Sequence, residues 1–124
     1  MSRQFLGKLG ENLACEYLVQ KGYDILRQNW RVKGGEIDVV ARSKDRTIVF
    51  VEVKTFAGSL ESGRELVPED NITAAKLKKF KRACEMFVVK NRDLIDERRG
   101  WRIDVIAIEI LSDGGEKIRH YENV

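Results

Sequence analysis

The stretch of residues 34–56 constrains the fold of this chain more than any other segment. It contains two runs of alternating, β-prone residues on either side of a polar turn at residues 43–46, which predicts a β-hairpin. Because side chains alternate between the faces of a strand, Glu52 and Lys54 are predicted to share a face. With the turn centred on residue 45, Asp38 lies opposite Glu52, with Cβ atoms roughly 5 Å apart as in any cross-strand pair.

Both predicted strands are otherwise apolar, so two carboxylates and a lysine lie inside a sheet that should be buried. Buried charges cost several kcal/mol unless they are paired or bind a metal. Asp38 and Glu52 offer oxygen ligands suited to Mg²⁺ or Mn²⁺, and Lys54 could orient or deprotonate a water or neutralise phosphate charge. The pattern indicates metal-assisted phosphodiester hydrolysis. The alternative is an ion pair of Lys54 with Glu52 or Asp38 that serves only strand register.

The length of 124 residues predicts a single domain, 1–124, with a real hydrophobic core. A net charge of +3 is too small to identify a nucleic-acid binder, so the distribution of charge carries more information. One histidine, His120, and two cysteines without metal-type spacing, Cys15 and Cys84, argue against zinc. No apolar run approaches the ~20 residues of a membrane span, and no secretory signal is visible, which predicts a cytoplasmic protein.

Residues 6–20 have helical periodicity, and Gly22 is suited to end that helix in the left-handed conformation. Glu11 lies at the border of its apolar arc, where it could reach Asp38 and Glu52 or could simply be a surface glutamate favoured by the helix dipole. Residues 23–32 predict a first strand. Trp30 with neighbouring arginines and lysine, Arg27, Arg31 and Lys33, could form a nucleic-acid surface or a charged edge that prevents aggregation.

The glycines, serines and single proline of residues 57–70 predict a long loop. This loop is either a flap beside the site or a tolerated surface loop. A second helix is predicted over residues 71–90, capped by Asn71 or Thr73. Its basic stripe, Lys76, Lys79 and Arg82, lies in a segment with no acidic residue before Glu85. The lack of opposite charges favours phosphate contact over a merely solvated face.

Residues 101–111 predict a further core strand, and residues 116–121 a short edge strand after a glycine turn. Asp104 is an additional candidate acid, although pairing with Arg102 or with a neighbour at the strand start is the favoured interpretation. His120 is a weak catalytic candidate.

The order of these residues resembles a known nuclease superfamily. Asp38, followed by Glu52-Val53-Lys54 on the next strand and preceded by Glu11 in a helix, resembles the PD-(D/E)xK superfamily, most of all its archaeal Holliday-junction resolvases. A closer resemblance is to the YraN family of predicted endonucleases. It is carried by the segments GKLGENLACEYLVQKGY, NWRVKGGEIDVVA and FVEVKT and by the lysine-led second helix. This resemblance covers residues 7 to about 108.

The resemblance implies a restriction-endonuclease-like α/β fold, with a central mixed sheet flanked by helices in the order α-β-β-β-α-β-β. It also implies metal ligands at Asp38 and Glu52, a backbone carbonyl ligand at Val53, a catalytic lysine at Lys54 and assistance from Glu11. Ile37 replaces the proline of the superfamily motif, which should not affect coordination. Phe56 stands where related sequences often carry a basic residue, which removes one expected phosphate contact.

The leading interpretation is therefore an endonuclease that uses Mg²⁺ or Mn²⁺ to hydrolyse DNA, including branched or structured DNA. The alternatives are a nucleic-acid-binding module with a nuclease fold and no cleavage, and a homodimer subunit that cuts only with its partner. The expected catalytic or metal-binding residues are Glu11, Asp38, Glu52, Val53 and Lys54, and the expected nucleic-acid contacts are Arg31, Lys33, Lys76, Lys79 and Arg82.

Overall fold

The computed structural model describes residues 2–57 and 73–124. Its elements follow the predicted order α-β-β-β-α-β-β, with one short 3₁₀ helix, Arg92–Leu94, that periodicity did not predict. In chain order they are α1 (Arg3–Gln20), β1 (Asp24–Val32), β2 (Gly35–Arg42), β3 (Ile48–Ala57), α2 (Ala74–Lys90), β4 (Trp101–Ile110) and β5 (Glu116–Tyr121).

The five strands form one mixed sheet in the order β1-β2-β3-β4-β5. Strands β3 and β4 run parallel and the other neighbouring pairs are antiparallel. Parallel neighbours require a crossover connection, and α2 lies in that connection. Helix α1 packs mainly on β3, whereas α2 packs on β2. The predicted mixed sheet between helices is confirmed, and it is consistent with a restriction-endonuclease-like fold.

The register of the central hairpin is the one that the sequence predicts. Val39 pairs with Val51 and Val40 pairs with Phe50, so paired residue numbers sum to 90. The turn closes through a hydrogen bond from the Ser43 amide to the Thr47 carbonyl, 2.9 Å. The ladder ends at Val39 and Val51, one position before the predicted Asp38–Glu52 pair.

Two apolar clusters cover the two faces of the sheet. The α1 side joins Leu18 to Val39 and Val51, and the α2 side joins Phe87 to Phe50 and Val40. Ile37 packs on the α2 side although strict alternation would place it with Val39. The alternation of β2 is therefore broken at Asp38.

Strand β1 is irregular at the same level. Asn29 lies between the pairs Gln28–Val39 and Trp30–Ile37, and its φ is 51°. This left-handed conformation is tolerated by asparagine more readily than by most residues. Both strands thus leave regular geometry beside the candidate acid.

The helix ends follow the predicted chemistry where they are described. The Thr73 side chain accepts a hydrogen bond from the Lys76 amide, 3.1 Å, and so caps α2. Gly22 has φ 93° after α1, as predicted. The alternative cap Asn71 and all but the first residue of the predicted 57–70 loop lie outside the described residues. No helix in the described part of the chain has the length and apolarity to span a membrane.

Trp30 packs against the core with part of its side chain still exposed. Its ring meets Phe87 edge-on, with centroids 5.1 Å apart, and it packs against the α2-side cluster. The ring is half-buried and engaged with the core, which favours the alternative of a charged edge strand over an aromatic nucleic-acid surface on β1. The neighbouring Arg31 and Lys33 are exposed.

Gly10 allows α1 to approach the sheet. A Cβ atom at this position would lie 1.9 Å from Thr55 Oγ1 and 2.9 Å from its Cβ, whereas Gly7 faces open space. We expect Gly10→Ala to lower the free energy of unfolding by about 1–3 kcal/mol because the helix must move outward. Gly7→Ala is the matched control and should raise it by about 0.5–1 kcal/mol, since alanine is the better helix former. Urea unfolding would measure both, and equal effects would contradict the packing constraint.

Candidate functional site

Asp38 lies at the point where β2 and β3 stop pairing. Its Oδ2 atom accepts a hydrogen bond from the Val53 amide, 2.8 Å, across the two strands. No cation contacts this carboxylate in residues 2–57 and 73–124. Asp38 therefore does not stand out from one face as strict alternation predicts, because its carboxylate turns toward the backbone of β3.

The carboxylates around this position repel one another. Burial, and next the charge of Glu52, raise the pKa of Asp38 to about 7, against the opposing effect of the Val53 hydrogen bond. Burial also raises the pKa of Glu52, although Lys54 acts in the opposite direction. Two half-buried acids with raised pKa values are a common feature of functional sites. A bound cation would relieve their repulsion.

Glu52 and Lys54 share the α2-side face of β3, as predicted. Lys54 Nζ lies 3.1 Å from Glu52 Oε1, and both side chains are about a quarter exposed, 26% and 25%. The ion pair expected under the purely structural interpretation is thus formed with Glu52. This ion pair leaves the Asp38 carboxylate without a cationic partner in the described residues. A role in strand register therefore explains Glu52 and Lys54 but not Asp38.

A cleft of about 430 Å³ opens over this part of the sheet. Its charged lining combines Glu52 and Lys54 of β3 with Lys76 and Lys79 of α2. Lys76 is close enough to act electrostatically on Glu52 and lower its pKa. The first two turns of α2 thus bring the predicted phosphate-binding lysines to the predicted acidic site.

A second groove, of about 490 Å³, continues from the cleft past Lys79 and Gly35, which line both. Lys33, Lys78 and Arg82 also line it. Arg31 lines the first cleft and lies 3.8 Å from Glu36. All five predicted nucleic-acid contacts, Arg31, Lys33, Lys76, Lys79 and Arg82, therefore border these two connected depressions.

Glu11 and Glu36 complete the acidic surroundings. Both charges contribute to the raised pKa of Asp38, and Glu36 also raises that of Glu52. Glu11 was predicted, and its half-buried position on α1 brings its charge to bear on Asp38. Glu36 was missed, although its place two residues before Asp38 in a strand was a usable signal.

Comparison with known proteins shows the family of this chain. The family model described as "Uncharacterised protein family UPF0102" matches residues 10–108. The chain belongs to the UPF0102 family. This family, also called YraN, is a nuclease-like group of the PD-(D/E)xK type.

UPF0102 proteins of several bacteria align over nearly the whole chain. The protein of Caldicellulosiruptor bescii is 39% identical over 95% of this chain and 92% of its own length. That of Trichlorobacter lovleyi is 41% identical over 97% of this chain and 89% of its own length. That of Mycobacterium ulcerans is 37% identical over all of this chain and 97% of its own length.

The UPF0102 chain contains a second group of candidate ligands, on the α1 side. Asp104, His120 and Glu122 can place one ligand atom each within 4.8 Å of the others, which could hold a metal ion. No such group of three in the described segments includes Asp38 or Glu52. The identity of an ion is not specified by this spacing.

The donors of this second group are already engaged. His120 Nε2 lies 2.7 Å from Asp104 Oδ2, and Nδ1 lies 3.0 Å from the Tyr17 hydroxyl. Arg102 Nε donates to Asp104 Oδ1 at 3.0 Å, so the predicted pairing of Arg102 with Asp104 is confirmed. A metal ion would have to displace these hydrogen bonds.

The pKa of Asp38 predicts a pH-dependent stability in the absence of metal. Because the folded carboxyl has a pKa of about 7, against 3.8 for the ordinary group, the folded state binds more protons between these values. The free energy of unfolding therefore falls as pH rises through this window. In EDTA at pH 8, Asp38→Asn should raise the free energy of unfolding by about 2–4 kcal/mol. At pH 4, where the folded carboxyl is already protonated, the increase should be much smaller.

Urea unfolding across this pH range would test the expectation. The matched control is Glu97→Gln, which neutralises an exposed carboxylate outside the site and should shift stability little at any pH. A gain for Asp38→Asn that does not change with pH would contradict the proposed repulsion between Asp38 and Glu52.

Proposed function

We propose that this chain is a divalent-metal-dependent endonuclease that hydrolyses phosphodiester bonds in DNA, branched and structured DNA included. The observation that carries the proposal is the Asp38 carboxylate, which lacks a cationic partner in the described residues and lies close enough to Glu52 for the two charges to repel. Glu52 in turn lines a cleft with Lys54, Lys76 and Lys79. Such an arrangement is costly for an unliganded fold and favourable for cation binding.

The donor set fits Mg²⁺ or Mn²⁺. These hard cations prefer carboxylate and carbonyl oxygens, and Mg²⁺ is commonly held by one or two carboxylates together with waters and substrate oxygens. Asp38 and Glu52 would provide the carboxylates, and the Val53 carbonyl the backbone ligand that the resemblance implies. When bound, the metal would polarise the phosphate and lower the pKa of a coordinated water.

The position of Lys54 supports a role in assisting the attacking water. Its ammonium contacts Glu52 at 3.1 Å and lines the cleft that the phosphate would enter. From there it can orient the water and offset the negative charge that develops on phosphorus oxygens in the transition state. Glu11 would act more remotely, by tuning the charge and orientation of Asp38.

The basic residues offer a path for the substrate backbone. Lys76 and Lys79 stand at the cleft, and the adjoining groove adds Lys33 and Arg82. Contacts of this kind position the strand and carry no sequence information. Cleavage without a strict base sequence is the expected consequence, with DNA in the cytoplasm as the substrate.

Cleavage of labelled oligonucleotides with Mg²⁺ or Mn²⁺ would test the reaction. We expect Lys54→Ala to lower kcat by about 10²–10⁴-fold, the usual contribution of a positioned acid–base group. Asp38→Asn and Glu52→Gln should abolish metal-dependent cleavage, and EDTA should abolish it in the wild type. Lys117→Ala, an exposed change on β5, is the matched control and should leave the rate unchanged.

Binding that is equal in the wild type and these variants, with no products under either metal, would contradict the proposal. That outcome would favour the second candidate, a nucleic-acid-binding module. The observation in its favour is the Lys54–Glu52 ion pair, which also suits a site that no longer reacts. Phe56, in the place of an expected basic residue, points the same way.

The salt dependence of binding tests the backbone path separately. Each phosphate neutralised by a lysine or arginine contributes about 0.7–0.9 to the slope of log K against log salt concentration. Lys76→Ala, Lys79→Ala and Arg82→Ala should each reduce the slope by about that amount, measured by fluorescence anisotropy in EDTA. Lys117→Ala should not alter the slope, and an unchanged slope in all three site variants would exclude α2 from the interface.

A homodimer would supply the two sites needed to cut both strands of a duplex. Sedimentation of the active protein would test this, and a fully active monomer would exclude the dimer as a requirement.

A further inference from the structure

The cleft over Glu52 and Lys54 has two chemically different parts. Its rim is charged, with Lys54, Lys76 and Lys79 among the lining residues. Its floor is apolar and comes from three elements, and the contributing residues are Val32, Leu77, Phe80, Ile103 and Val105.

The apolar floor has no use in phosphodiester hydrolysis itself. Metal ions, water and phosphate oxygens interact with charged and polar groups, not with valine, leucine or phenylalanine. Val32 and Leu77 are only partly buried and border the open space of the cleft. An apolar surface of this kind beside converging charges is typical of a pocket that holds a partly apolar ligand.

The depth of the apolar residues in the cleft determines which part of a nucleic acid can contact them. Phe80, Ile103 and Val105 are buried, whereas Lys76 and Lys79 are exposed, so these apolar residues lie deeper in the cleft than the lysines of α2. An intact duplex presents phosphates and groove edges at its surface while its bases remain stacked inside. A base can contact the floor only when its nucleotide is unpaired or has been turned out of the stack.

We propose that the cleft binds the base of one unpaired nucleotide against its apolar floor, with the adjacent phosphate held at Lys54, Lys76 and Lys79. This inference rests on the proposed endonuclease function and specifies its substrate class as strands with unpaired nucleotides at the cut. The neighbouring groove at Lys33 and Arg82 receives the next phosphates of the same strand. Sequence tolerance follows, because every base has an apolar face.

The first test compares one labelled strand in three forms: single-stranded, in a continuous duplex, and in a gapped duplex or four-way junction. With Mg²⁺ or Mn²⁺, cuts should map to unpaired nucleotides and be at least about tenfold faster than in the duplex. Efficient cutting of the free single strand would identify single strands as the source of the unpaired nucleotide. Cutting confined to the gap would identify unpaired nucleotides within duplex DNA as the source. Cutting confined to the junction would identify branched DNA.

The second test removes the base and keeps the phosphate. An abasic residue at the preferred position should slow cleavage about tenfold, since base contacts of this kind are worth that much in affinity. Leu77→Asn should slow cleavage of the intact strand and reduce the difference between intact and abasic strands. Leu77→Met, which conserves volume and apolar character, is the matched control and should preserve the difference. Val32→Thr provides a near-isosteric second variant should Leu77→Asn fail to fold.

The outcomes separate this inference from the proposed function. Equal cleavage of continuous duplex, gapped duplex and abasic strands would overturn the base-binding cleft while the endonuclease stands. If no substrate is cut, the endonuclease proposal fails, and affinity measured in EDTA still tests the cleft. An affinity loss of about tenfold on base removal, present in wild type and reduced in Leu77→Asn, supports it. Equal affinity for intact and abasic strands overturns it.

Discussion

The hydrogen bond from the Val53 amide to the Asp38 carboxylate is the interaction on which the candidate site depends. It forms where the β2–β3 ladder ends, so the carboxylate replaces the strand partner that the amide has lost. A buried amide without a partner would cost about 1–3 kcal/mol. The same bond holds Asp38 close enough to Glu52 for their charges to repel, which makes the position favourable for a cation and unfavourable without one.

Asp104 and Asp38, both carboxylates of the central sheet, have opposite environments. On the α1 side, burial would raise the pKa of Asp104, but hydrogen bonds with His120 and Arg102 outweigh it and lower the pKa. In β2, Asp38 has a single amide donor among residues 2–57 and 73–124, and its pKa is raised. A fully bonded carboxylate stabilises one arrangement of its strands. A carboxylate left short of partners is available to bind something else, which is why we assign function to Asp38.

The position of α2 decides where the open surface lies. Its buried face, which includes Phe80 and Phe87, packs on β2 and β3 and covers the apolar centre of the sheet. Its first turns carry Lys76 and Lys79 to the edge of that cover, beside Glu52 and Lys54. The Lys54–Glu52 ion pair is compatible with the proposed catalysis, because it holds the lysine at the cleft that the proposed phosphate would enter.

Much of this structure follows from local patterns. The hairpin register, the Thr73 cap, the left-handed Gly22 and the β5 edge strand depend on period-two alternation and on residues near in sequence, and so the sequence predicts them. The shared face of Glu52 and Lys54 has the same origin. The basic stripe of α2 was also visible, since a helix repeats every 3.6 residues.

Only the tertiary structure determined how Asp38, Trp30 and Glu36 are used. Alternation predicts that Asp38 stands on the face of Glu52, but a broken strand pairing turns it toward Val53. The sequence made Trp30 a candidate for a nucleic-acid surface, but in the folded chain its ring packs against Phe87 of α2. Glu36 joins the site because β2 and α2 meet at the cleft. Each outcome depends on contacts between segments distant in sequence, and local periodicity contains no information about which segments meet.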